Sequence, residues 1–307
     1  MKKNILVTGS HRSGTTWVGK ILASDRNVSY LHEPFKLEPD GNYFGLPLRY
    51  WFTYIPDVAE QDLLFEKLDR ILSLQWRKMP RDTGNWSKRL GENIQHAARS
   101  CLNSWLVDTV VIKDPIALFS AEQLARRYNM DVVCMIRHPL AFCSSIKNWH
   151  WGFPFNHFLK QPQLMDRFFG EYQREIEVFA KDRQPLIEQA ILLWNLLHAV
   201  IRQYREQNED WIFLRHEDVV KSPAEVFQGV FSKLNLDFSK TVRTNIELSL
   251  SSAEGEPKGA SFKSRNQNAV LESWKKRLSE EEIELVNRKT RAMRLYFYPE
   301  EGESELP

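Results

Sequence analysis

The chain has 307 residues, with 42 Lys and Arg against 40 Asp and Glu, a formal net charge of +2, and 42% hydrophobic and 27% charged residues. This is the composition of a folded protein with a real core, enough for one large α/β domain or two small ones, and it excludes a disordered tail. The near balance of charge excludes a general nucleic-acid coat, which needs a basic surplus to release counterions, but not a local cationic pocket. Cys101, Cys134 and Cys143 are too few for a disulfide framework and point to a reducing compartment. Ile5-Leu6-Val7 is too short for a signal peptide. The longest apolar stretch, Ala190 to Ile201, is broken by Asn195 and His198 and cannot span a bilayer. The expectation is a soluble, cytoplasmic protein without a membrane span.

In chain order, Lys3 to Thr8 reads as a short buried strand, Gly9 to Gly14 as a turn, and Thr16 to Ala23 as a helix with apolar Trp17, Val18, Ile21 and Leu22. The stretch from about Phe35 to Asn103, rich in Tyr, Trp, Pro and charge, reads as an insertion, with helical pieces at Gln61 to Leu74 and Lys88 to Leu106. Val107 to Lys113 and Met130 to Ile136 are two further strands, nearly continuously apolar. Between them Leu118 to Tyr128 has helical spacing, with Ser120 as its N-cap. Met165 to Ala180 and Pro185 to Gln207 read as long helices, and Trp211 to Leu214 as a fourth strand. Ser251 to Asn268 is a polar loop. Ser279 to Leu295 is a closing helix, with Ser279 and Glu282 spaced as a capping box. Apolar strands alternating with helices imply a parallel sheet covered on both faces, whose ligands sit at the carboxyl ends of the strands.

The first strand end carries Gly9-Ser10-His11-Arg12-Ser13-Gly14-Thr15-Thr16-Trp17. A glycine-bounded turn feeding a helix N-terminus directs several backbone N–H groups at one point and suits an oxyanion. The glycine spacing is that of a nucleotide-triphosphatase loop, but Thr15 stands where its Lys belongs and the cation is Arg12. Without that Lys on the β- and γ-phosphates, ATP chemistry is disfavoured.

Arg12 to Trp17, Arg-Ser-Gly-Thr-Thr-Trp, resembles the 5′-phosphosulfate loop of sulfotransferases that use 3′-phosphoadenosine 5′-phosphosulfate (PAPS). Cytosolic members carry Lys at the first position, whereas tyrosylprotein and carbohydrate members carry Arg. The resemblance implies that Arg12, Ser13, Gly14, Thr15 and Thr16 hold the 5′-phosphosulfate and that Trp17 packs on the adenine. It also implies 3′-phosphate contacts from Arg137, at the end of the Val132 to Ile136 strand, and from Ser145, eight residues later. Arg is suited to a phosphate monoester because its donors form a planar fork, although a charged residue at a strand end is also where solvent begins.

Lys113-Asp114-Pro115 resembles the Lys-Asp-Pro of tyrosylprotein sulfotransferases, which implies that Lys113 neutralises charge on the leaving group. His32-Glu33-Pro34 lies where the tyrosylprotein and carbohydrate enzymes have a carboxylate, often as Glu-Pro. That makes Glu33 the candidate general base, with His32 second; the plain alternative is a loop carboxylate pairing with Arg12. His216-Glu217-Asp218-Val219 resembles the family's adenine-side Tyr-Glu-Asp-Leu, with His216 in place of the Tyr. The alternative there is a strand end with Asp218 capping the next helix.

Near the C-terminus Arg265, with Lys263 as runner-up, resembles the basic residues that close over the 3′-phosphate. No Cys/His cluster or His-Glu-x-x-His run appears, so no metal is expected. Of the clustered Trp51, Trp76, Trp86, Trp149 and Trp151, each is taken as core except Trp149 and Trp151, which lie after the helix carrying Ser145.

The expected fold is a P-loop-like three-layer α/β domain spanning 1–307, with an acceptor-side insertion at about 35–105 and a cofactor-loop and helix region at about 250–298. The expected activity is metal-free, PAPS-dependent transfer of a sulfuryl group to an acceptor hydroxyl. Carbohydrate or glycolipid is favoured, with small alcohol or protein tyrosine as other classes. The alternatives are a P-loop kinase or NTPase and a non-catalytic nucleotide-binding module.

Overall fold

The computed structural model describes residues 2–38, 41–42, 44–56, 62–73, 107–250 and 271–303. The described elements, in chain order, are β1 (Lys3–Gly9), α1 (Thr15–Leu22), β2 (Val28–His32), β3 (Leu37–Glu38), β4 (Gly41–Asn42), α2 (Asp62–Leu72), β5 (Thr109–Lys113), α3 (Ala121–Tyr128), β6 (Met130–Ile136) and α4 (Pro139–Asn148). They continue as α5 (Gln173–Lys181), α6 (Leu186–Gln207), β7 (Ile212–Arg215), α7 (His216–Lys221), α8 (Pro223–Lys233), α9 (Lys240–Leu250) and α10 (Glu280–Phe297), with short helical turns between some of them.

Five strands form one parallel sheet in the order β2-β5-β1-β6-β7, and β3 and β4 make a separate antiparallel pair. Side chains alternate across β1, so its apolar run feeds two cores. Leu6 joins one core with α2, α3, α4, α6 and α10. Ile5 and Val7 join the other, built from Val18 and Ile21 of α1, Phe227 and Phe231 of α8 and Val242 of α9. This is the expected three-layer α/β arrangement. In register, His32 and Val7 both lie against Lys113, Gly9 against Met135, and Ile136 against Arg215. The ends of all five strands therefore line one edge.

Several local expectations change. Strand β2, absent from the sequence reading, is the sheet edge beside β5. The helix expected from Leu118 is a 3-10 turn over Pro115–Ser120 followed by α3. Ser120 does not cap α3 with its side chain: it accepts from Ile55 N–H at 3.0 Å and donates to the Thr53 carbonyl at 2.6 Å, tying the 53–55 stretch to the 3-10 turn that follows β5. The single helix expected over Met165 to Ala180 is a π turn (Met165–Phe169), a 3-10 turn (Gly170–Tyr172) and then α5. The fourth strand is offset by one residue, to Ile212–Arg215. The capping box of Ser279 and Glu282 is present at the start of α10. The Lys88 to Leu106 helix and the 251–268 loop fall outside the described residues.

Candidate active site

The loop between β1 and α1 is shaped by residues in left-handed backbone. Gly9 has φ 122°, and a Cβ there would lie 2.2 Å from the Met135 carbonyl oxygen, so the position accepts only glycine. Arg12 has φ 65° and Gly14 φ 87°, so the chain reverses twice before Thr15 opens α1. Ser13 Oγ donates to the Ser10 carbonyl, and Ser10 N–H to the Met135 carbonyl at 3.0 Å, which pins the loop to β6. The first N–H groups of α1 have no acceptor inside their own helix, which makes this a cradle for an anion.

Strand adjacency brings the second cationic motif to this loop. Arg12 Nε donates to Ser145 Oγ at 3.0 Å, across 133 residues, and its guanidinium lies 5.1 Å from the Trp149 ring centroid. Arg137 leaves the end of β6 and donates through Nη1 to the Arg12 carbonyl. Arg12, expected from one motif, and Arg137 and Ser145, expected from another, thus meet. His216, at the start of α7, is buried against the loop, where a Cβ on Gly14 would stand 2.6 Å from its Nδ1. It covers the loop's second glycine. Asp218 does not cap a helix; it pairs with Arg215 Nε at 2.7 Å. Trp17 packs into the second core, edge-on to Phe227 at 5.5 Å, and donates from Nε1 to Ser249 Oγ at 3.1 Å. Thr15 is buried and Thr16 half-buried on the same turn. Arg265 and Lys263 lie outside the described residues.

At the other end of the site edge, Lys113 is 1% exposed and its Nζ lies 2.5 Å from Glu33 Oε1. The partner of Glu33 is therefore Lys113 and not Arg12. Burial pushes the Glu33 carboxyl up, but the charge and hydrogen bond of Lys113 outweigh it and hold the group below its ordinary value. Burial lowers the Lys113 ammonium despite Glu33. The two directions are compatible: the pair is charged, and the more deeply buried partner carries the larger desolvation cost.

Around this pair, Tyr30 OH lies 3.2 Å from His32 Nδ1, and His32 Nε2 lies 3.8 Å from Glu33 Oε2. Burial, with Lys113 nearby, lowers His32 to about 4, so it is neutral at pH 7. Asp114 is fully buried and accepts from Phe35 N–H at 2.5 Å and Ile116 N–H at 3.0 Å, fixing the turn that carries Glu33 at φ 50°.

Sequence reasoning passed over two buried groups here. His11, inside the loop, lies among Phe52, Phe142 and Trp151 with ring centroids 4.5–5.8 Å away, and neither ring nitrogen has a hydrogen-bond partner. Asp114 was legible only as the neighbour of Lys113. Of the tryptophans, Trp149 is exposed, whereas Trp151 and Trp51 pack against the main core. No group of metal-binding side chains occurs among the described residues, and no helix among them is long and apolar enough to cross a membrane.

Among solved structures, the fold resembles the sulfotransferase domain from the Curacin biosynthetic pathway, at 15% identity over 95% of this chain and 98% of that one, with a TM-score of 0.44. It also resembles the sulfotransferase domain of the Synechococcus PCC 7002 olefin synthase, at 16% identity over 94% and 95%, with a TM-score of 0.47. A mouse sulfotransferase, SULT7A1, complexed with PAP matches at 12% identity over 95% and 85%, with a TM-score of 0.43. No curated protein matches by sequence. A family model described as "Sulfotransferase family" matches residues 4–240, most of the chain and every strand of the central sheet, and on that match the chain belongs to the sulfotransferase family.

Proposed function

We propose that this protein transfers a sulfuryl group from PAPS to an acceptor hydroxyl by in-line displacement. The observation that carries this reading is the meeting of Arg12, Arg137 and Ser145 beside a glycine-bounded loop that has Thr15 in the triphosphatase lysine position. The residues fit such a donor: a cradle closed by Gly9 and Gly14, a helix N-terminus, and two guanidinium groups suit a ligand with anionic ends. PAPS, when bound, supplies the sulfuryl group and a phosphate leaving group.

The chain's own residues divide the work. The loop N–H groups with Arg12, Ser13, Thr15 and Thr16 hold the 5′ end, and Arg137 and Ser145 hold the 3′-phosphate. Trp17 and His216 border the base, and Arg265 is a further cation for the 3′-phosphate. Lys113 neutralises charge on the departing oxygen, the kind of electrostatic contribution that usually dominates such transfers. Glu33 takes the acceptor proton as the acceptor oxygen forms its bond to sulfur and the sulfur–oxygen bond to phosphate breaks. Glu33-Pro34 favours a carbohydrate or glycolipid hydroxyl. On this reading the chain is one catalytic domain of the cytoplasm, and its 35–105 segment meets the acceptor.

The test is a calorimetric titration with adenosine 3′,5′-bisphosphate and with ATP, with and without magnesium, followed by a mass-spectrometric acceptor screen with PAPS. Tight, magnesium-independent bisphosphate binding and sulfated product are expected. Magnesium-dependent ATP binding, or a bisphosphate that does not bind, would overturn the proposal.

A further inference from the structure

The peptide unit joining Arg137 to His138 is held at both of its polar ends. Its carbonyl accepts from Trp194 Nε1 at 2.9 Å, and its N–H donates to Glu217 Oε1 at 3.2 Å. Trp194 is completely buried on α6 and stacks on His198 at 4.0 Å, whose Nδ1 lies 2.8 Å from the Trp194 carbonyl. The second oxygen of Glu217 accepts from Tyr298 OH at 2.8 Å. Tyr298 follows α10 and meets the His138 ring edge-on at 5.1 Å, and Glu301 reaches His138 Nε2 at 3.1 Å while pairing with Arg294.

This clamp lies beyond the end of the strand. The β6–β7 ladder already ties Ile136 to Arg215, so the sheet does not need it for cohesion. Its effect is to fix the plane of this peptide and with it ψ of Arg137, the dihedral that links the held peptide to the Cα carrying the guanidinium. A guanidinium hangs far from its Cα, and functional groups need positions good to roughly 0.5 Å, so a rotation of about 10–20° at the strand end is enough to misplace it. A buried indole N–H needs an acceptor, and the one Trp194 uses is the carbonyl of this peptide, so the rigid core of α6 and the strand end are coupled through it. Tyr298 and Glu301 also lie past residue 240, where the family match stops, so this part of the clamp is not a feature the family match covers.

We infer that Trp194, Glu217 and Tyr298 are positioning residues that aim Arg137 at the donor's 3′-phosphate, which makes the C-terminal helix part of the donor site. The inference rests on the 3′-phosphate reading of Arg137 given above.

The experiment measures binding of adenosine 3′,5′-bisphosphate and adenosine 5′-monophosphate, which lacks the 3′ group, to the full chain. The proteins are wild type, Arg137→Ala, Trp194→Phe, Glu217→Ala, Glu217→Gln and Tyr298→Phe, each checked by thermal melting. Wild type should prefer the bisphosphate, and Arg137→Ala should erase that preference. Loss of one hydrogen bond in Trp194→Phe and Tyr298→Phe, and of two in Glu217→Ala, should weaken bisphosphate binding roughly tenfold or more, with monophosphate binding changed less than about twofold. Glu217→Gln keeps the acceptor for His138 N–H and should restore most of the affinity.

If Trp194→Phe fails to fold, the two variants outside the core of α6 decide the matter. Equal losses for both ligands, or unchanged preference in folded Glu217→Ala and Tyr298→Phe, overturn the positioning role while Arg137 keeps its own. A wild type without preference, or an Arg137→Ala that retains it, overturns the reading of Arg137 and the inference with it.

Discussion

Lys113 and Glu33 are joined twice: Nζ meets Oε1 at 2.5 Å, and Glu33 N–H donates to the Lys113 carbonyl at 2.8 Å. The second contact continues the β2–β5 register, in which His32 lies against Lys113, one residue past the strand. The backbone of the sheet edge thus sets the distance between the proposed base and the proposed leaving-group cation.

Glu33→Gln should lower kcat by about 10²- to 10⁴-fold, the usual worth of a general base, with donor affinity retained. It should also destabilise the fold by about 3 kcal/mol, since it leaves a buried ammonium without its counter-charge. Because Lys113 holds the Glu33 carboxyl below its ordinary value of 4.5, the group stays ionised from neutral pH down past that value. The acid limb attributable to Glu33 in kcat/KM should therefore lie below pH 4.5, and Lys113→Met should move it upward. A limb near neutral pH in the wild type would assign the base elsewhere.

Gly14→Ala tests the loop. Its φ of 87° disfavours any Cβ, and the added carbon would stand 2.6 Å from His216 Nδ1. Backbone strain and overpacking together should cost about 2–4 kcal/mol and abolish bisphosphate binding. Adding His216→Ala removes the clash and leaves the strain, so the double variant should recover part of the stability in a denaturant titration. No recovery would show that the dihedral alone governs the position.

The fold was legible where burial is two-sided. β1, β5 and β6 read as continuous apolar runs because both faces meet a core, and the glycine turn could be read from spacing alone. β2 was not, because Val28-Ser29-Tyr30-Leu31-His32 is an edge strand with alternating burial and polar residues at both a buried and a half-buried position. That omission also hid the Glu33–Lys113 pair, which exists only once β2 is set beside β5. The Arg12–Ser145 contact was likewise beyond the sequence: each residue was a candidate, but their meeting depends on β1 and β6 being neighbours. The grip of Trp194 on Arg137 involves a core residue with no motif at all.

Asp114 makes stability fall as pH rises. Burial, with Glu33 adding like charge, raises its carboxyl from 3.8 to about 7, so the folded state holds a proton that the unfolded state has released between those values. The folded form binds more protons in that window, so the contribution is most favourable below 3.8 and is lost as pH passes about 7. Asp114→Asn removes this slope but gives up one of two backbone acceptors, at about 1–3 kcal/mol. A variant with an unchanged pH slope would place the buried proton on another group.

His11 and His198 act in the opposite sense and should make the protein acid-labile. Burial is the leading cause that lowers each from 6.5 to about 3; for His11 the neighbouring Arg12 adds to it. Between those values the unfolded chain takes up a proton at each ring and the folded chain does not, so stability is lost as pH falls below 6.5. The limiting slope is about 1.4 kcal/mol per pH unit for each histidine. His11→Leu should remove one of the two slopes. It also discards a buried ring whose nitrogens have no partner, so stability at pH 7.5 should hold or rise. Urea titrations at pH 5 and 7.5 measure both effects. A His11→Leu protein as acid-sensitive as wild type would mean that the ring titrates in the folded state, and so that its aromatic cage opens to water.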